Sequence, residues 1–528
     1  MHRLLAVGLV FTAFALTTTF SRTVFERLPH LEDELAYLYQ ARVFANGDVT
    51  VDTPEPRSPF WQPFVVDYEG QRFSKYTPGW SAILALGVLL GAPWWINATL
   101  SAGTVAVVYR TGEEIFSADV GLIAAALVTF SPMFLLLGSS LMGHTAALFC
   151  LVLFTYAFWR VLRGHRALGW GVVAGLALGL LIVNRPLTSV GAAVPFVIYS
   201  VLWLAWSLWR ERERFWGRFG SLVALGVVAL VLLPAIPLYR LAATGDATLN
   251  PYVLVWEYDT VGFGEEHGRS GHTLEKGLRH TRQDLSLAAS DLFGWQTTPL
   301  TYEQREHLLL GSRFYPGQGL SWVLLPLGVV AGLFMGGGRS RWTLLLMAVP
   351  AGIITVYLAY WIGSQRYSTR YYMEGMAAAA LLSAVLPGWL AGRHRSLRVL
   401  VYGALVAVTV YGFVGYTVPR LQVLHGFNHV TQAHIEQINA LRQTDRPALV
   451  LLTGDGMTWR ANGSLMGVTD PYLEGDIVLA RDRMDSRYRE QILEMFPERE
   501  VIELWGKHSK SWPNLRSALA ASRLELTP

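Results

Sequence analysis

Three carboxylates stand together in His30-Leu31-Glu32-Asp33-Glu34-Leu35-Ala36-Tyr37, just after the apolar segment Leu4–Phe20 ends. Ionisable groups at the edge of a hydrophobic run sit where lipid, water and protein meet, a costly position unless it has a use. Asp33 and Glu34 fit catalysis, and they equally fit the solvated first turn of a juxtamembrane helix, where acids are favoured. The same loop continues through Trp61, Lys75, Tyr76 and Thr77-Pro78-Gly79, so a cation and several aromatic rings share it, as a sugar-phosphate surface requires.

A second group, Arg366-Tyr367-Ser368-Thr369-Arg370-Tyr371-Tyr372-Met373-Glu374, lies between two apolar runs. Arg366 and Arg370 have the chemistry to hold a lipid-linked phosphate, and Tyr371 and Tyr372 suit substrate contact as well as interfacial anchoring. Glu374 falls inside the start of an apolar helix, so a pairing with Arg366, Arg370 or Arg185 is expected. Arg185, in Val183-Asn184-Arg185-Pro186, fits phosphate binding or snorkelling to the surface. His144, in Gly143-His144-Thr145, fits substrate binding or a satisfied structural histidine.

The third group is glycine-rich: Gly262-Phe263-Gly264-Glu265-Glu266-His267-Gly268, then Gly271-His272-Thr273. So many glycines make a mobile segment suited to folding over a substrate, with His267 and His272 as contacts. Glu265, Glu266, His267 and His272 offer divalent-metal ligands, but their spacing matches no helical zinc signature and the glycines give no rigid cage, so no cofactor is firmly predicted and a divalent metal is the minor alternative.

The elements that carry these groups belong to a membrane protein. Of 528 residues, 52% are hydrophobic and only 16% charged, well below the roughly 25% of soluble domains. The mean hydropathy of +0.33 is modest for that class, which implies large polar loops. About eleven spans are predicted, at roughly 4–20, 95–110, 120–137, 142–160, 170–184, 188–207, 219–238, 318–336, 342–361, 373–390 and 399–416. The first, preceded by Met1-His2-Arg3, also has the layout of a signal peptide. Gly79–Ala92, flanked by Pro78 and Pro93, reads as an interfacial or re-entrant helix.

Arginine clusters at Arg160–Arg166, Arg210–Arg218, Arg339–Arg341 and Arg393–Arg398 fit the cytoplasmic side. That parity puts residues 21–94, 239–317 and everything after Val418 outside, together with the turns at His144, Arg185 and Arg366–Tyr372. The net charge of +4 is spread over these clusters and gives no nucleic-acid face. Cys150 is the single cysteine, so the outer parts must hold together by packing without an internal disulfide.

The last hundred residues change character. An amphipathic helix at Val430–Arg442, strands at Ala448–Leu452, Asp476–Leu479 and Glu500–Leu504, and a helix at Arg487–Met495 describe a small α/β domain. Thr453-Gly454-Asp455-Gly456 follows the first strand and fits a phosphate cradle or an ordinary turn. The predicted organisation is a membrane domain over residues 1–418 and a soluble extracytoplasmic domain over 419–528.

The chain resembles the integral-membrane GT-C glycosyltransferases, particularly the protein O-mannosyltransferase and aminoarabinose-transferase branch. The likeness rests on Asp33-Glu34 with Tyr37, Ala41 and Gly47-Asp48, on Ser131-Pro132 and the His144 turn, and on Arg366 through Glu374. It covers roughly residues 1–416 in layout. It implies sugar transfer from a polyprenyl-phosphate carrier to a lipid, glycan or protein acceptor on the outer face of the plasma membrane, with Asp33 as base and Glu34 in support. His144 stands where many relatives have an aspartate, a departure at the acceptor site. A transporter or flippase of a lipid-linked or anionic substrate is the alternative. It calls for internal repeats and midplane charges, whereas the polar clusters here lie at span ends.

Overall fold

A bilayer leaves no water to satisfy the backbone, so apolar runs of this length close their own hydrogen bonds as helices. The computed structural model describes residues 1–295, 319–453, 459–482 and 486–505. Among them, eight helices are long and apolar enough to cross a membrane: His2–Thr23, His144–Arg163, Ala167–Asn184, Pro186–Arg210, Arg212–Thr244, Arg339–Tyr357, Arg370–Ala391 and Arg395–His429. Broken pairs raise the number to ten, one of them Ala118–Thr129 with Pro132–Gly138, bent by 58°. The break falls at Ser131, whose hydroxyl accepts from the Phe134 amide at 3.3 Å. Ser321–Leu333 is apolar but short. The chain is a polytopic helical protein; ten of the eleven predicted spans fall on these long or broken helices, and the one predicted near 318–336 falls on this helix of 13 residues, too short by itself to cross.

Contacts divide the chain into two units. The first comprises Met1–Phe20, Trp95–Ile236 and Trp256–Val423 and holds most of the long helices. Small residues let them approach closely. A Cβ on Gly171 would lie 2.5 Å from the Ser221 carbonyl, and one on Gly175 the same distance from that of Leu225, so Ala167–Asn184 and Arg212–Leu232 touch backbone to backbone. The outward faces carry Val197, Val201, Leu202, Leu230 and Val231, all exposed, as a lipid solvent permits.

The second unit comprises Ser21–Trp94, Pro237–Val255 and the chain from Leu424 onward. The stretch Gly79–Ala92, expected as an interfacial or re-entrant helix, falls largely on the helix Pro78–Leu89. A small antiparallel sheet places Gln71–Ser74 between Val51–Asp52 and Val65–Tyr68. A parallel sheet places Ala448–Thr453 between Ile477–Asp482 and Glu500–Trp505. Its central strand alternates between two cores, as a parallel strand covered on both faces must. Ala448, Val450 and Leu452 face Ile435, Ile438, Leu465 and Met466, and also Leu28 and Leu35 from the amino-terminal loop. Leu449 and Leu451 face Ile492 and Phe60. The predicted helices are present as Gln432–Leu441 and Ser486–Met495. Residues 454–456 of the glycine turn lie outside the described residues.

Polar ties reinforce this packing. Arg42 donates to the Gly467 and Thr469 carbonyls at 2.8 and 3.0 Å, and the Asn428 amide to the His30 carbonyl at 2.7 Å. His30 is fully buried, with Nε2 2.9 Å from the Phe25 carbonyl and Nδ1 3.0 Å from that of Phe427.

Candidate active site

Within the second unit, Asp33 and Glu34 open the helix Glu32–Ala45, where three acids meet the positive end of the helix dipole. Their surroundings differ. Glu34 is sealed, and its Oε2 accepts the backbone N–H groups of His30 and Leu31 at 2.9 and 3.0 Å. That carboxylate satisfies donors the helix start would otherwise orphan. Asp33 is half-buried, and its Oδ1 accepts from the Tyr76 hydroxyl at 2.7 Å.

Tyr76 and Lys75 follow directly on the strand Gln71–Ser74. Gln40 on the acidic helix holds that strand by accepting the Ser74 amide at 2.9 Å. The Tyr76 ring packs on Tyr37 at 4.5 Å and edge-on to Tyr252 at 5.5 Å. Burial, followed by the neighbouring Asp33 charge, pushes the Tyr76 hydroxyl well above its ordinary range, so it stays a proton donor. The Lys75 side chain is buried, its ammonium 4.0 Å from the Phe64 ring centre, 4.7 Å from Tyr252 and 5.4 Å from Tyr76. Aromatic faces stabilise a partly desolvated cation.

Within the first unit a separate cluster forms at span ends. Arg185 sits between the helices Ala167–Asn184 and Pro186–Arg210, in the extended backbone that a following proline imposes. Its Nη1 lies 3.1 Å from His144 Nε2, its Nη2 donates to the Tyr357 hydroxyl at 2.7 Å, and its Nε donates to the Thr188 hydroxyl at 3.2 Å and faces Glu374 Oε1 at 3.1 Å. Arginine only donates, so His144 Nε2 is an acceptor and Nδ1 carries the proton, 3.4 Å from Glu374 Oε1. Tyr371 stacks on Tyr357 at 4.6 Å and caps His144 at 6.4 Å. The pairing expected of Glu374 is thus made with Arg185.

Arg366 and Arg370 flank a hairpin in which Arg366 pairs with Ser368 and Tyr367 takes a φ of 61° at the tip. The hairpin is anchored at buried Asp291, which accepts from Ser368 Oγ at 2.6 Å, Tyr416 at 2.6 Å and Arg420 Nε at 2.8 Å. Arg420 also donates to the Tyr367 carbonyl at 2.6 Å. Arg370 is nearly buried with its guanidinium 5.3 Å from the Tyr371 ring, whereas Arg366 is partly exposed. The Tyr372 hydroxyl points to Thr281 at 3.4 Å.

The glycine-rich loop, expected to be a mobile segment, is joined by a backbone bridge. Gly264 and His272 exchange backbone hydrogen bonds at 2.9 Å each way, closing it into a tight hairpin whose glycines supply positive φ. His267 Nδ1 meets Thr260 Oγ1 at 2.7 Å and Nε2 meets Glu266 at 3.2 Å; His272 Nε2 meets the Leu358 carbonyl at 2.9 Å. Among the described residues, no group of three or more His, Cys, Asp or Glu side chains is assembled for a metal.

Sequence reasoning missed Tyr357, Thr188, Phe64 and Tyr252 as partners, and the Asp291–Arg420–Tyr416 anchor. Arg420 carried a signal, being a charge next to the apolar run Val399–Tyr416. The rings of Phe64 and Tyr252 carried none, since aromatic residues are common throughout.

Residues 78–237 match the family model described as dolichyl-phosphate-mannose-protein mannosyltransferase. No curated protein sequence matches the chain. Among solved structures, ArnT from Cupriavidus metallidurans bound to undecaprenyl phosphate is 17% identical with a TM-score of 0.52, covering 94% of this chain and 89% of that one. The archaeal oligosaccharyltransferase AglB from Archaeoglobus fulgidus, in complex with an inhibitory peptide and a dolichol-phosphate, is 12% identical with a TM-score of 0.49, covering 94% and 69%. The chain therefore has the GT-C fold, the architecture of integral-membrane glycosyltransferases.

Proposed function

We propose that this protein transfers a sugar from a polyprenyl-phosphate carrier to a lipid, glycan or protein acceptor at the extracytoplasmic face of the plasma membrane. The observation that carries the reading is the half-buried Asp33 carboxylate held by Tyr76 beside the aromatic-walled Lys75 ammonium. The family match and the GT-C fold support the donor class.

The chemistry follows from those groups. The acceptor hydroxyl or amine loses its proton as it attacks the anomeric carbon, and Asp33 takes that proton as general base. Tyr76 fixes the orientation of the carboxylate by occupying Oδ1. Glu34 acts through the backbone, by fixing the first turn that presents Asp33. The leaving lipid phosphate is a stable anion and requires cations more than an acid, a role for Lys75 beside Asp33; Arg185, Arg366 and Arg370 are further phosphate-binding candidates by residue type. A single displacement inverts the anomeric configuration. Tyr371, Tyr372, His144, His267, His272 and Glu374 are the further substrate-binding candidates. For His144, His272 and Glu374 the buried pairings above make a supporting role the stronger reading.

The test is incubation of the purified full chain with a panel of polyprenyl-phosphate sugars, comparing the parent with Asp33→Asn. Transfer is expected to fall at least about a hundredfold, the usual size of a lost general base, with folding retained. Undiminished transfer by Asp33→Asn removes Asp33 from this role.

A further inference from the structure

At one end of the helix His144–Arg163, within the first unit, a cleft of about 360 Å³ is lined by Glu114, Trp159, Arg160, Arg163 and His165. We propose that this cleft binds the phosphate of an anionic membrane phospholipid. Its place in the chain is a hydrocarbon boundary: one apolar span ends at Arg163, Gly164 caps it with a φ of 80°, and the next begins at Ala167. Phosphate groups and tryptophans share that depth in a bilayer.

The charges are arranged for an anion. Glu114 is saturated, accepting from Arg160 Nη1 with both oxygens at 3.0 Å, from Arg110 at 2.9 Å, from Tyr156 at 2.9 Å and from Trp159 Nε1 at 3.3 Å. Its charge is therefore neutralised in place. Arg160 lies 5.2 Å from the Trp170 ring, and among the described residues its buried Nε has no hydrogen-bond partner. Arg163 lies 5.5 Å from the Trp159 ring, and it forms no ion pair among the described residues. His165 is exposed at the mouth. A helix C-terminus by itself repels an anion, so binding must depend on these cations. Arginine over an indole keeps its outward N–H edge for a phosphate oxygen while the ring wall excludes water.

The experiment is native mass spectrometry of the full chain released from detergent, titrated with phosphatidylglycerol or with phosphatidylcholine, with and without millimolar inorganic phosphate. One phosphatidylglycerol is expected to be retained in preference to phosphatidylcholine. Arg163→Gln should weaken it about tenfold, the effect of one charge-assisted contact, without changing the melting temperature. His165→Gln is a second variant outside any ion pair and should weaken it less. Arg395→Gln, in another arginine cluster, should leave it unchanged. Equal retention of the two lipids, or parent-like binding by Arg163→Gln, overturns the proposal. Displacement of the lipid by inorganic phosphate also overturns it, by assigning the cleft to the free ion.

Discussion

Asp33 and Glu374 are carboxylates beside aromatic rings in two different units, and what holds each charge differs. Glu374 is 1% exposed and faces the Arg185 guanidinium at 3.1 Å, with His144 alongside. Asp33 is half-buried and accepts a hydrogen bond from a neutral phenol. A sealed acid against a guanidinium is a strut, because either partner left alone would be a buried charge. A half-buried acid keeps one side open to a proton, as a general base requires. Residue type and nearness to lipid are common to both, so exposure is what distinguishes the strut from the proposed base.

The largest expected effect tests the strut. Arg185→Met strands Glu374 and should cost about 3–5 kcal/mol of stability, read as a lower denaturation midpoint of the purified chain. A parent-like midpoint would break the comparison. Asp33→Asn should show the converse, at least about a hundredfold less transfer at a nearly unchanged midpoint. A large drop in midpoint would make Asp33 a strut as well.

Tyr76→Phe sharpens the comparison on the Asp33 side. It removes one hydrogen bond to a carboxylate, worth roughly 1.5 kcal/mol or about tenfold in transfer, with stability little changed. An effect as large as that of Asp33→Asn would move the central role to the phenol.

The smallest effect concerns acidity in the unit that holds Asp33. Burial holds the His30 imidazole below its ordinary range, outweighing the two carbonyls that favour its protonation. The unfolded chain takes up a proton near pH 6.5 that the folded chain resists. Stability is therefore complete above about pH 6.5 and declines below it, by up to about 1.4 kcal/mol per pH unit. His30→Gln should flatten that decline in denaturation midpoints measured from neutral to mildly acid pH. Coincident slopes for parent and variant would exclude His30 as the sensitive group.

The helical architecture was legible because bilayer thickness writes itself into run length, and the strands near Ala448, Ile477 and Glu500 were legible because apolar residues bounded by turns have few alternatives. The Glu374 pairing was legible on cost alone. The use of Glu34 as a cap was available in principle, since it stands three residues after Leu31 at a helix start. The hairpin through Gln71–Ser74 and the shared core of Leu28, Leu35, Leu465 and Met466 were not legible. Contacts between residues some four hundred positions apart leave no periodicity in either segment.

That shared core orders events during synthesis. The helix bearing Asp33 is synthesised well before Ile502 and Leu504, which lie in the sheet beneath Leu28 and Leu35. That part of its floor is translated long after the helix. A product cut short by a premature stop near residue 430 would lack the sheet on which Leu28 and Leu35 pack, so synthesis of that sheet is the step that seats the acidic helix.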